Sequence, residues 1–137
     1  MVKLKVCCAL IIVEIANSEP LLLLAKKPRG SSHAGLYEFP GGKIEKYEQA
    51  HEAIIREINE ELACNIEITA SLTPVCIESE NRLIELIPFI CKLKHNSMFP
   101  VPLEHESIGL FTFTTAGKLD LSPPDIPIFK ELITIYR

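Results

Sequence analysis

A layered α/β fold is predicted for this chain, on three observations. Residues 4–16 are apolar on both alternating faces, the pattern of a strand covered on two sides. Ala50, Ile54, Ile58 and Leu62 recur every four residues, which marks the buried stripe of a helix. Two further β-rich stretches, 66–77 and 82–93, follow that helix. With 137 residues, 47% apolar and 23% charged, the chain can bury roughly two thirds of its unfolded surface without disulfides or a structural metal. One domain over residues 1–137 is therefore expected. The balance of 18 acidic against 14 basic residues, net charge −4, supplies no electropositive footprint for duplex nucleic acid.

Taken in order, Lys3 and Lys5 ahead of the apolar run Val6 to Val13 imitate a leader peptide. Glu14 interrupts the run, which is far shorter than the roughly 20 apolar residues of a membrane span, so a strand and no membrane partner are expected. Asn17 to Pro20 carry turn chemistry and Leu21 to Lys26 a second strand, together a hairpin. Pro28 to Ser32 reads as loop, Gly35 to Phe39 as extended chain, and Pro40-Gly41-Gly42 as a forced turn with two permissive glycines. The helix is expected over Glu48 to Leu62, with Ala53 and Ile55 beside its apolar stripe and its charges opposite. Pro74 and Pro88 predict bulges or edge positions in the strands that follow. Residues 108–114 make one more strand, and Ser122 to Asp125 a stop and N-cap before a closing helix through Leu132 and Ile135. The five cysteines are odd in number, lack a C-x-x-C pair and sit mostly in apolar runs, so a reducing, cytoplasmic setting is expected.

The chemistry is concentrated in the first helix. Glu57, Glu60 and Glu61 stand at i, i+3 and i+4, so three carboxylates share one face and repel one another. A divalent cation relieves that repulsion, and hard oxygen ligands suit Mg²⁺, or Mn²⁺ in its place, together with substrate phosphates. On an arbitrary helix the same spacing is simply a solvated acidic face. The surrounding residues separate the two readings. Gly42, Glu48, Arg56, Glu57, Ile58, Glu60 and Glu61 fall on the pattern G-x5-E-x7-R-E-U-x-E-E-x-G-U, with U aliphatic. Six fixed identities at set spacings arise by chance on the order of 10⁻⁸ per start position. The stretch resembles the Nudix box. Gly35 to Lys43 is similar to the G-L-W-E-F-P-G-G-K of the MutT-type branch, and Leu22 to Pro28 to its second strand. Glu104-His105-Glu106 with Leu110-Phe111 resembles its E-H-x-x-x-x-W-V segment, and Pro124 to Ile128 its P-A-[ND]-x-P-[IV].

The resemblance implies an α/β/α sandwich with a mixed sheet and Mg²⁺-dependent hydrolysis of a nucleoside triphosphate, cytidine or oxidised purine, to monophosphate and pyrophosphate, serving to sanitise the nucleotide pool. Another nucleoside diphosphate derivative, or a non-catalytic nucleotide-binding module, is the alternative; the window Ser79 to Arg82 lacks the Pro or Tyr of several other substrate classes, and no box carboxylate is missing. It implies that Glu57, Glu60, Glu61 and the Gly41 carbonyl hold the metal, and that Arg56 orients box carboxylates such as Glu48. The water's base is then Glu57 or Glu104, with a plain surface charge the other reading of Glu104. Lys27, Lys43 and Arg82 are implied phosphate contacts, whereas Arg29 reads as a loop charge.

Phe39 is a base contact or a core plug, and Asp125 a base reader or the N-cap of the last helix. Ionised Asp only accepts, so as a reader it favours N–H edges: the cytosine amine, or guanine and its oxidised form. The four histidines share no ligand spacing, and His33 reads as exposed. A nucleotide is the expected partner, to a monomer or homodimer. Two departures from the pattern bear on backbone geometry. Ala63 stands where Gly closes the helix, at a cost of about 1 kcal/mol if a left-handed cap is kept, with Asn65 an alternative turn residue. Tyr47 replaces a frequent Gly and argues against a positive φ there.

Overall fold

The computed structural model describes residues 2–31 and 34–136. Its strands are β1 (Val2–Val13), β2 (Leu21–Lys26), β3 (Tyr37–Glu38), β4 (Gly41–Lys43), β5 (Ile66–Ser71), β6 (Val75–Ser79), β7 (Arg82–Leu93) and β8 (Ser107–Thr112). The helices are α1 (Ala50–Leu62), α2 (Phe113–Ala116) and α3 (Asp125–Ile135). β1 is the spine: it pairs in parallel with β7 and antiparallel with β2 and β4, so the sheet is mixed.

The two-sided apolar character of β1 has a direct cause. Cys7, Ala9 and Ile11 pack with Ala53, Ile54 and Ile58 of α1, whereas Cys8, Leu10 and Ile12 pack with Ile128, Phe129 and Leu132 of α3. Alternate residues of a strand point to opposite faces, so one strand serves two helical layers, and the expected α/β/α sandwich is what forms. Each fully buried Leu or Ile contributes about 1.5–3 kcal/mol of transfer free energy to these two cores.

Several local expectations are corrected. The strand ends at Val13 rather than residue 16, and α1 starts at Ala50 rather than Glu48. The helix start is set by Glu52, whose carboxylate accepts the Gln49 N–H at 2.9 Å. Ile55 lies off the apolar stripe and is 39% exposed. Pro40-Gly41-Gly42 is no turn: Gly41–Lys43 pairs with Val6–Cys8, and neither glycine has a positive φ. Pro88 sits inside a strand with neighbours on both sides. Its missing N–H falls where β6 gives way to β5, and its carbonyl accepts from Leu72 at 3.1 Å. The expected bulge occurs instead between Ile68 and Ala70.

The short helix α2 was not anticipated; the Thr112 hydroxyl caps it by accepting from the Thr115 N–H. Ala63 keeps the left-handed cap (φ 53°), so Asn65 is not the turn residue, and Tyr47 adopts φ 70° despite its side chain. All five cysteines are free thiols, and only Cys76 is exposed. Among the described residues no helix is long and apolar enough to cross a membrane.

Candidate active site

One half of the site is the outer face of α1. Arg56 grips Glu48 in two parallel bonds, Nε to Oε2 at 2.7 Å and Nη2 to Oε1 at 2.9 Å. Nη1 reaches Glu57 at 3.0 Å and Glu60 at 3.3 Å, and Nη2 also donates to the Lys43 carbonyl at 3.1 Å. The guanidinium holds the Glu48 carboxyl down at about 2, and Glu48 in turn raises Arg56. Glu61 is different: burial pushes it up to about 8, with the His105 charge opposing and Glu57 and Glu104 adding to the rise.

Gly42 and Gly41 are required for space. A Cβ on Gly42 would stand 2.4 Å from the Glu57 carboxylate, and one on Gly41 would stand 2.0 Å from the Cys7 carbonyl. The Pro40 carbonyl accepts from Ala9, and the Ile44 N–H donates to Lys5. By strand alternation the intervening Gly41 and Lys43 carbonyls face away from β1.

Among the described residues no three His, Cys, Asp or Glu side chains converge on one point, because Glu57 and Glu60 turn toward Arg56. The local chemistry nonetheless fits a hard divalent cation. The donors are all oxygens, Glu61 Oε2 is buried without a hydrogen-bond partner, and the missing side chain at Gly42 leaves room for the Glu57 carboxylate.

The other half is a cavity of about 280 Å³ whose polar lining comes from Lys27, Glu38, Ser122 and Asp125, with Gly41 in its wall. Asp125 is 5% exposed and is the first residue of α3, not its N-cap, which is Pro124. Its Oδ2 accepts the Phe39 N–H at 3.0 Å, a contact spanning 86 residues. Burial raises its carboxyl to about 7, the Phe39 N–H opposing, Glu38 adding and Lys27 opposing. Phe39 itself is 3% exposed and belongs to the core, so its ring is a plug that also lines the cavity.

Lys27 pairs with Glu38 at 3.2 Å. Lys43 is exposed on β4 and Glu104 on the loop before β8. Arg82 is exposed at the start of β7, on the same pleat face as the cavity residues Ile84 and Leu86 but outside the lining. Arg29 is an exposed loop charge, paired with Glu106 at 2.8 Å. His33 lies outside the described residues.

Sequence reasoning missed the pair His105 Nε2 and Glu38 Oε2, 3.0 Å apart. Burial alone would raise Glu38, but His105 and Lys27 hold it below its usual value, and the bond to Glu38 raises His105. No periodicity links positions 38 and 105; only the two family-like segments that carry them pointed there.

The NUDIX domain profile matches residues 7–132. The chain belongs to the Nudix family. It is a MutT-like Nudix hydrolase. A CTP pyrophosphohydrolase of Escherichia coli strain K12 is 28% identical over 125 residues, 91% of each chain. An 8-oxo-dGTP diphosphatase of Proteus vulgaris is 33% identical over 76 residues, 56% of this chain and 68% of that one. The solution structure of the Escherichia coli ORF135 protein superposes with a TM-score of 0.81 at 28% identity, covering 98% of this chain and 91% of that one. In this Nudix hydrolase the box thus runs from β4 through α1, with Glu48, Glu57 and Glu60 gathered around Arg56.

Proposed function

We propose that this Nudix hydrolase cleaves a nucleoside triphosphate, cytidine or oxidised purine, to the monophosphate and pyrophosphate, using Mg²⁺ with Mn²⁺ as a substitute. One observation carries the reading: β4 is a wall common to both halves. Gly41 lines the cavity, and the next residue, Gly42, abuts the Glu57 carboxylate. A nucleotide with its base against Asp125 therefore runs its phosphates past β4 to the acidic face of α1.

In this reading Glu57, Glu60, Glu61 and the Gly41 carbonyl hold the cation. When bound, the cation neutralises phosphate charge and acidifies a coordinated water. Glu104, which shares the electrostatic surroundings of Glu61, takes the proton from the attacking water, with Glu57 the other carboxylate in reach of that role. Arg56 keeps Glu48 ionised and steers Glu57 and Glu60. Lys27, Lys43 and Arg82 neutralise phosphate oxygens. The Phe39 backbone N–H holds Asp125 in place. In its ionised form, which its raised value of about 7 brings in near and above neutrality, Asp125 accepts from a base N–H edge, the cytosine amine or the guanine edge and its oxidised form. Sanitising the cytoplasmic nucleotide pool is the role such a reaction fits.

The test is a product-resolved panel of ordinary and oxidised nucleoside triphosphates plus ADP-ribose, with Mg²⁺ and with chelator. Monophosphate and pyrophosphate appearing only with metal, fastest from a cytidine or oxidised guanine nucleotide, are expected. Metal-dependent turnover of ADP-ribose alone would replace the substrate class, and binding without turnover would make this a regulatory module.

A further inference from the structure

Two buried side-chain atoms among the described residues lack a hydrogen-bond partner: Glu61 Oε2 and His105 Nδ1. Buried polar atoms are nearly always partnered, so two orphans in one neighbourhood call for a common explanation. The groups are neighbours, each altering the other's charge balance. The His105 side chain is only 6% exposed, and its other nitrogen, Nε2, is committed to Glu38 at 3.0 Å. Glu38 lines the nucleotide cavity and is held in turn by Lys27 at 3.2 Å.

The chain next to the ring is also anchored. The next residue, Glu106, donates its N–H to the Lys26 carbonyl at 3.1 Å, and its carboxylate pairs with Arg29 at 2.8 Å and Lys26 at 3.8 Å. With the neighbouring backbone anchored and Nε2 on Glu38, the imidazole keeps Nδ1 buried.

We propose that His105 is a positioning residue that ties the two halves of the site together, Nε2 holding Glu38 at the nucleotide cavity while Nδ1 orients Glu61 on the acidic face of α1 through one bridging water. A carboxylate placed in this way needs no reorganisation when it takes up a cation, which is how groups behind a metal ligand raise affinity. The inference rests on the proposed metal role of Glu61.

The test is Mn²⁺ titration of the full chain without nucleotide, followed by calorimetry, so it needs no hydrolysis. His105→Phe fills the space without a nitrogen and is expected to weaken Mn²⁺ binding by about tenfold or more. His105→Asn places its amide near the Nδ1 position and is expected to recover most of the loss. His105→Gln places its amide near Nε2, keeps the Glu38 bond and stays weak. In hydrolysis, His105→Gln raises the metal requirement while the KM for nucleotide stays within about twofold of the parent.

A folded His105→Phe protein with parental Mn²⁺ affinity overturns the proposal. So does His105→Asn binding no better than His105→Gln, a comparison that decides the matter even if the Phe variant does not fold. Parent and Glu61→Gln proteins binding Mn²⁺ equally would overturn the metal reading itself, a different failure from Glu61→Gln being weak and His105→Phe normal.

Discussion

Glu48 and Asp125 are both carboxylates of this site, and their surroundings drive them in opposite directions. Glu48, gripped by Arg56 at the solvent edge, is held at about 2, whereas Asp125, buried under the sheet with the Phe39 N–H as its hydrogen-bond donor, rises to about 7. The contrast extends to whole regions. At the Arg56 end of α1 a guanidinium among carboxylates keeps Glu48 ionised, a local arrangement of a turn and one helix, whereas Glu61 on the same face is raised by burial. The cavity half sets its polar groups by desolvation and by contacts between distant segments. One half suits cation and phosphate chemistry, the other suits discrimination between neutral base edges.

The sharpest way to break the comparison is to neutralise the first half alone. Glu104→Gln, which removes the base, and Glu57→Gln, which removes a cation ligand, are each expected to lower kcat about 10²- to 10⁴-fold with little change in nucleotide affinity, only the second also raising the metal requirement. Equilibrium binding of nucleotide beside kcat for both variants decides the assignment. Next in size is the wall between the halves. Gly42→Ala sets a methyl against the Glu57 carboxylate and should cost about 1–3 kcal/mol of stability as well as activity, read by chemical denaturation.

The second half is probed by pH. Asp125 carries a folded-state value of about 7 against an ordinary 3.8, so between these values the native state binds more protons than the unfolded one. Its contribution is fully present below about pH 4 and is lost as pH rises through about 7. Asp125→Asn should remove that slope, so that the variant gains on the parent as pH rises from 5 to 8 in thermal melts. The smallest effect is at the end of α1: Ala63→Gly relieves a left-handed alanine and should stabilise the protein by about 1 kcal/mol, seen as a raised Tm with unchanged kcat.

How much of this was legible follows the same division. The acidic face could be read because helical periodicity converts spacing directly into proximity: Glu57, Glu60, Glu61 and Arg56 lie within six residues. The Arg56–Glu48 bond needed only the eight-residue spacing of a known motif. The glycines misled, because Pro-Gly-Gly looks like a turn until a neighbouring strand is known to press against it. Tyr47 misled as well: its φ of 70° is imposed by the loop entering α1, and its 95% exposed ring adds no steric obstacle beyond its own backbone. Asp125 resembled an N-cap because Ser-Pro-Pro-Asp is cap chemistry, and only its contact with Phe39 distinguishes the two roles.

By itself the sequence determined the layered fold, the two-faced central strand, the helix with its carboxylate row and the family, since each depends on residue types repeated at short, regular intervals. Tertiary structure alone decided that β4 forms the wall between cavity and acidic face, that Asp125 is buried against Phe39, and that Glu38 meets His105. Those features join segments up to 86 residues apart, and their energies come from desolvation and steric fit, which exist only once the sheet has brought the segments together.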